Sequence, residues 1–378
     1  MRKKLLPFIE WFDHRIDRFR LFLKLRYGLL GPVHIFPYDG HGNGRALYLT
    51  GRVLEEKEVW LPSIDDTAWR NMRAMIRRFL SDEVPGAQLR VRFEDWERVI
   101  VADDEGFFEA NVPLRGEPLP ERAWHEVDLE VLWPVARGQD EVRAVGKALV
   151  PRQSAAFGVI SDIDDTIVRT GATSVLTTLR LVLFSNAHTR LPFEGVAAFY
   201  RALRAGGEGN EGNPIFYVST GPWNLYDLIS DFLRLQEIPN GPIFLKDWGG
   251  LKDVLRGMNH RQHKLEVIRK ILNTHSALPF VLVGDSGQQD AETYAQVARE
   301  YPNRILAIYI RDIDRPITGR DQAVRKISAE VNDLGVPMLL VENTVEAADH
   351  AANMGLINHA ALPEIREGKK EDSQGPLF

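Results

Sequence analysis

The spacing of apolar residues changes three times along the chain. Leu5, Ile9, Phe12, Ile16, Phe19 and Leu23 recur at intervals of three and four, which predicts an amphipathic helix within residues 1–30. Between 31 and 150 the apolar runs become short and partly alternating: "RALYLTGRV", "QLRVRFE", "RVIVA", "FFEANVPL", "HEVDLEVLW" and "RAVGKALV". Turn residues separate them, and the pattern predicts a small β-sandwich. A helix is predicted to interrupt it at "TAWRNMRAMIRRFLSDEVPG", with Trp69, Met72, Ile76 and Phe79 or Leu80 on one face. From 151 to about 360 apolar strands alternate with helical stretches. "FGVISDI", "PIFYVST", "PFVLVGDS", "RILAIYI" and "PMLLV" are the strands; "WNLYDLISDFLRL", "HKLEVIRKILNTH", "DAETYAQVARE" and "DQAVRKISAEVNDLG" lie between or after them. This rhythm predicts a doubly wound, parallel-sheet α/β domain. Residues 361–378 are polar and are predicted to be a disordered tail.

Composition narrows the classes. The chain has 378 residues, 44% hydrophobic and 26% charged, as expected of a globular protein of two or three domains. It contains no cysteine, which excludes disulfides and thiolate metal sites and fits a cytoplasmic, reducing compartment. A net charge of −6 argues against nucleic-acid binding. No apolar run is long enough for a transmembrane helix. The amino terminus is basic, but Glu10, Asp13 and Arg15 interrupt any signal-peptide core, so it reads as uncleaved. Within 1–30, Arg2, Lys3, Lys4, Arg15, Arg18, Arg20, Lys24 and Arg26 outnumber Glu10, Asp13 and Asp17. Two readings follow: a helix lying peripherally on an anionic membrane, or one packed on its own domain with a solvated basic face.

The chemistry concentrates at strand ends, where sites form in open α/β sheets. "GVISDIDDTIVRTG" runs from apolar residues into Asp162, Asp164 and Asp165. Like charges that close repel, so a cation is expected among them. The next strand ends in Ser219-Thr220-Gly221, and a third in "GDSGQQD", with Asp285 and Asp290; Lys264 opens the helix before it. Carboxylates from two strands suit Mg²⁺, which prefers oxygen ligands. A hydroxyl, amides near Gly221 and a lysine suit phosphoryl oxygens. Lys246, Lys252 and Lys270 are rivals to Lys264. Two other acidic strings read as turns: Asp103-Asp104-Glu105 before Gly106, in place of a calcium loop, and Asp312 with Asp314 before Pro316.

"DIDDT", the serine after "IFYV", the lysine and "GDSGQQD", in that order, resemble the haloacid dehalogenase superfamily of phosphotransferases. The resemblance implies a haloacid dehalogenase-like domain with a small cap over 151–360. Asp162 would be the nucleophile, forming an aspartyl-phosphate, and Asp164 the general acid and base. Asp162, Asp164 through its backbone carbonyl, and Asp285 would ligate Mg²⁺, with Asp290 behind them in its outer shell. Ser219 and Lys264, with Thr220 and Gly221, would bind the phosphoryl group, and Thr166 would orient the loop. "SDIDDTIVRTG", "RLPFEGVAAFYRAL", "FYVSTGPWNLYDLISDFL", "LPFVLVGDSGQQDAETYAQVA" and "IYIRDI" are similar to phosphatidate phosphatases of the actin-patch-protein type. That family implies Mg²⁺-dependent conversion of phosphatidate to diacylglycerol, a phospholipid substrate met at a membrane surface. Thr220 stands where the family often has Asn. Arg190, Trp223 and Lys246 are candidate headgroup or acyl-side contacts. The insertions after Asp162, around "TTLRLVLFSNAHTR", and after Ser219 are too short for a large lid, which suits a substrate held in a surface. Two alternatives stand beside this reading: a phosphatase of a small soluble phosphomonoester, and a membrane-binding adaptor with a vestigial phosphatase domain. Oligomeric state is not legible in the sequence.

Overall fold

The computed structural model describes residues 18–56, 82–114, 119–167, 195–246, 260–313 and 319–373. The described residues divide into two compact units, the first ending at Val150 and the second beginning at Pro151.

The first unit opens with helix α1, described over 18–27. Leu21 and Leu25 of α1 and the following Leu30 pack into the unit's core. Lys24 anchors the polar side, with Nζ 2.6 Å from Glu55 and 2.9 Å from Asp82. Phe19, Phe22, Tyr27 and Leu29 stay exposed. Eight strands follow: β1 (Val33–Gly42), β2 (Ala46–Glu55), β3 (Asp82–Glu83), β4 (Gln88–Phe93), β5 (Trp96–Val101), β6 (Phe107–Pro113), β7 (Trp124–Trp133) and β8 (Val142–Leu149). They form one mixed, curled sheet in the order β3-β2-β1-β8-β7-β4-β5, with β6 on β2. All pairs are antiparallel except β1 with β8. The expected β-sandwich is therefore corrected. Alternation along a strand such as β7, buried at every second position from His125 to Val131, reports one covered face. It does not report which strands pair, and a single sheet curled around Val53, Leu89, Phe108 and Leu129 produces the same pattern as two stacked sheets. The acidic string 103–105 is a turn: Asp103 Oδ1 accepts from the amides of Glu105 and Phe107, and Gly106 has φ 73°. Residues 67–81 of the helix expected inside this unit lie outside the described residues.

The second unit holds a separate, all-parallel sheet. Its elements are β9 (Gly158–Asp162), α2 (Val196–Ala205), β10 (Ile215–Pro222), α3 (Tyr226–Leu235), β11 (Ile243–Lys246), α4 (His260–Thr274), β12 (Phe280–Asp285), α5 (Asp290–Glu300), β13 (Ile305–Arg311), α6 (Arg320–Asn332), β14 (Met338–Val341), α7 (Thr344–Asn353) and α8 (Leu362–Ser373). The strand order is β11-β10-β9-β12-β13-β14. β9 and β12 are buried along their whole length, which explains their unbroken apolar runs. Phe216, Ile160 and Leu282 share one row across β10, β9 and β12; the next row joins Tyr217, Ser161 and Val283. Helices α4 and α5 cover the first of these rows with Ile268, Ile271, Tyr294 and Val297, while Tyr217 of the second row stacks on Tyr200 of α2.

The expected fold class is thus corrected for the chain as a whole. A mixed curled sheet and a distinct parallel sheet take the place of a sandwich joined to a doubly wound, haloacid dehalogenase-like domain. The insertion expected around "TTLRLVLFSNAHTR", residues 177–190, lies outside the described residues. The polar tail is helical as far as Ser373, because Ile365 within α8 is buried. One apolar anchor in a charged stretch leaves little trace in composition.

Candidate active site

Asp162 ends the central strand β9 and is fully buried. After it, the chain turns sharply: Asp165 adopts φ 55°, a left-handed conformation that aspartate tolerates better than most residues. The turn sends the side chains of Asp162 and Asp164 to different partners. Asp164 Oδ2 accepts a 2.8 Å hydrogen bond from Ser219 Oγ, which in turn accepts from the Gly221 amide at 2.9 Å. Thr166 Oγ1 lies 3.5 Å from Asp162 Oδ2. Thr220 and Gly221 continue β10 past Ser219, with Gly221 buried and Thr220 half-buried.

Lys264, one turn into α4, is buried between two acids. Its Nζ lies 2.7 Å from Asp162 Oδ1 and 2.6 Å from Asp290 Oδ1, and reaches Gln288 Oε1 at 3.2 Å. Burial opposes its charge, but the carboxylates of Asp162 and Asp290 outweigh burial and hold the ammonium above its ordinary range. Among the rival lysines, Lys270 is exposed on α4, Lys246 ends β11, and Lys252 lies outside the described residues.

Asp285 ends β12, and its Oδ1 accepts from the amides of Gly287 at 2.6 Å and Gln288 at 2.9 Å. Asp290 Oδ2 returns to the Asp285 amide at 3.2 Å. That return depends on Gly284: a Cβ there would sit 2.6 Å from Asp290 Oδ2 and 2.8 Å from the Tyr294 ring.

Asp162, Asp285 and Asp290 each offer an oxygen within 4.8 Å of the others, the one such cluster among the described residues. Burial pushes the Asp285 carboxyl up to about 7, with the charge of Asp290 adding to the rise. Burial also raises Asp162, against the pull of Lys264, and raises Asp164 in spite of the Ser219 bond. Asp285 Oδ2 is buried without a hydrogen-bond partner. An all-oxygen cluster with an unsatisfied buried acceptor fits a hard divalent cation. The Asp164 carboxylate is not part of this cluster.

The remaining candidates are dispersed. Trp223 is half-buried and stacks on Tyr226, while Arg190 and Asp314 lie outside the described residues. Asp312 follows β13, where its amide bonds the Val341 carbonyl. Sequence reasoning missed Gln288, which sits inside the quoted "GDSGQQD". It also missed the pair Ser161–Tyr200, whose hydroxyls meet at 2.6 Å beneath Asp162.

The family described as the catalytic domain of phosphatidate phosphatase APP1 matches residues 157–312. Phosphatidate phosphatase APP1 of Saccharomyces cerevisiae is 32% identical over 195 residues, covering 50% of this chain and 32% of that protein. An uncharacterized protein of Schizosaccharomyces pombe is 26% identical over 281 residues, covering 69% of this chain and 42% of the relative. The chain thus spans less than half of the length of these curated relatives, 32% and 42%. A solved carbohydrate acetylesterase from Xanthomonas citri overlaps 80% of this chain and 66% of its own, at 11% identity and a TM-score of 0.28, too low to inform the fold. Residues 157–312, the stretch that brings Asp162, Asp164, Ser219, Lys264, Asp285 and Asp290 together, are therefore similar to the catalytic domain of APP1-type phosphatidate phosphatases.

Proposed function

We propose that this chain is a Mg²⁺-dependent phosphatidate phosphatase, releasing diacylglycerol and phosphate through an aspartyl-phosphate on Asp162. The observation that carries the reading is the buried constellation itself: a carboxylate, Asp162, paired with Lys264, beside a second carboxyl, Asp164, held by Ser219. An Asp162 oxygen attacks phosphorus and the bond from phosphorus to the glycerol oxygen breaks. Asp164, protonated, gives its proton to the departing oxygen; as a carboxylate it then takes a proton from the water that cleaves the aspartyl-phosphate. Burial raises its pKa, which favours the protonated form that the first role needs. Ser219, the Gly221 amide and Lys264 are the donors for the phosphoryl oxygens, with Thr220 beside them and Thr166 orienting the loop. Asp162, Asp285 and Asp290 would hold the Mg²⁺, which supplies positive charge to offset these carboxylates and the phosphoryl group.

The lipid part of the reading rests on the family and on α1. Phe19, Phe22, Tyr27 and Leu29 are 59–70% exposed beside basic residues, which suits peripheral contact with an anionic bilayer. No helix among the described residues is long and apolar enough to cross a membrane.

The test measures phosphate release from phosphatidate in mixed micelles against a panel of soluble phosphomonoesters, with and without chelator. Preference for phosphatidate and loss of activity in chelator are expected, and Asp162→Asn should be inactive. A preference for soluble substrates would replace the lipid reading, and full activity in chelator would remove the metal.

A further inference from the structure

Asp285 ends β12 and Asp290 opens α5, Gly287 and Gln288 lie on the tight loop that joins them, and one side chain from outside grips that loop. Arg320, the first residue of α6, donates from Nε to the Ser286 carbonyl at 2.7 Å. Its Nη2 donates to the Gln288 carbonyl and, at 2.9 Å, to Glu292 Oε2, while Nη1 bonds Glu292 Oε1. The guanidinium therefore holds two loop carbonyls and a carboxylate together. On the inner side of the loop, Asp285 Oδ1 collects the amides of Gly287 and Gln288. The loop's carbonyls are held from one side and its amides from the other. This fixes the Asp285 carboxylate so that Oδ2, buried and without a hydrogen-bond partner, is left for a cation. The same grip sets Gln288, whose side chain meets Lys264. Only a planar fork with five donors can satisfy this arrangement; an ammonium keeps the charge and loses the bridging.

We propose that Arg320 is the positioning residue of the cation-binding loop, setting divalent-cation affinity through the loop's carbonyls without contacting substrate. The proposal rests on the reading of Asp285 as a metal ligand. Residues that orient metal ligands from behind typically govern affinity by roughly 10- to 100-fold.

The experiment titrates Mg²⁺ into the purified full chain by calorimetry, without substrate, for wild type, Arg320→Met and Arg320→Lys. Arg320→Met is expected to weaken Mg²⁺ binding by about 10- to 100-fold and Arg320→Lys by less, while kcat at saturating Mg²⁺ falls far less than affinity. Should Arg320→Met fail to fold, Glu292→Gln serves instead. It loosens the guanidinium's anchor and should weaken Mg²⁺ in the same direction. An unchanged Kd for Mg²⁺, with only a lower Tm of the metal-free protein, overturns the proposal and leaves Arg320 a fold contact. A wild type that binds Mg²⁺ but ignores phosphatidate sinks the lipid reading, while Arg320 is still judged by Kd. A wild type with no Mg²⁺ binding overturns both.

Discussion

Ser219 Oγ donates to Asp164 Oδ2 over 2.8 Å, across 55 residues of chain. A hydrogen bond to a carboxylate favours its charged form, so this one works against the burial that raises Asp164. Ser219→Ala should therefore raise the Asp164 pKa further. The acid limb of the kcat–pH profile, where the deprotonated carboxyl is needed, should move up by about one unit, the scale of a hydrogen bond to a charged group. An acid limb at its wild-type pH would remove Asp164 from the proton-transfer role.

Asp285 gives a second pH signature. In the metal-free protein it holds a proton up to about pH 7, whereas in the unfolded chain it releases it near its ordinary value of about 3.9. Between those values the folded state binds more protons. Its contribution to stability is thus present below the unfolded value and lost as pH rises through 7. On the metal-site reading proposed above, Mg²⁺ would compete for the deprotonated form, and its affinity should climb over the same range. Asp285→Asn should flatten the pH dependence of the metal-free Tm, raise that Tm at pH 8, and abolish the Mg²⁺-induced rise. Thermal melts across pH, with and without Mg²⁺, check all three.

Lys264 is the cation that makes this cluster foldable before any metal arrives. Lys264→Met leaves Asp162 and Asp290 buried without their partner, and a loss of about 3–5 kcal/mol is expected in denaturant titrations. Mg²⁺ should recover part of that loss in the variant. A stability equal to wild type would mean that the pair is dispensable.

The exposed aromatics of α1 predict a split between substrates. Phe19→Ser with Phe22→Ser should lower binding to anionic vesicles and activity on phosphatidate in bilayers. Activity on a soluble phosphomonoester should not change, because both residues belong to the first unit. Loss on both substrates would assign these residues to folding.

Asp162, Asp164, Ser219, Asp285 and Asp290 were visible in the sequence because each closes or follows an apolar run, and parallel strands buried on both faces write such runs plainly. Lys264 was readable from its place at a helix start. The curled sheet was not readable, because β1 loses its alternation at Pro37 and ends in Asp39, Gly40, His41 and Gly42, and pairing partners leave no local mark. Strand β11 is only four residues long. Arg320 could not be found at all, since its partners on the loop are mainly backbone carbonyls, which carry no residue identity.

The shared rows of β10, β9 and β12 act as a ruler. Phe216, Ile160 and Leu282 mark one graduation, and the reactive groups are read off a fixed count of residues beyond it. Side chains alternate, so one residue inserted into β9 after Ile160 would put a different side chain where Asp162 stands and turn its carboxylate to the other face. The insertion would leave the apolar character of the strand intact. A single in-frame codon is therefore enough to remove the chemistry while the strand stays apolar, and it would part Asp162 from Lys264 at the same stroke.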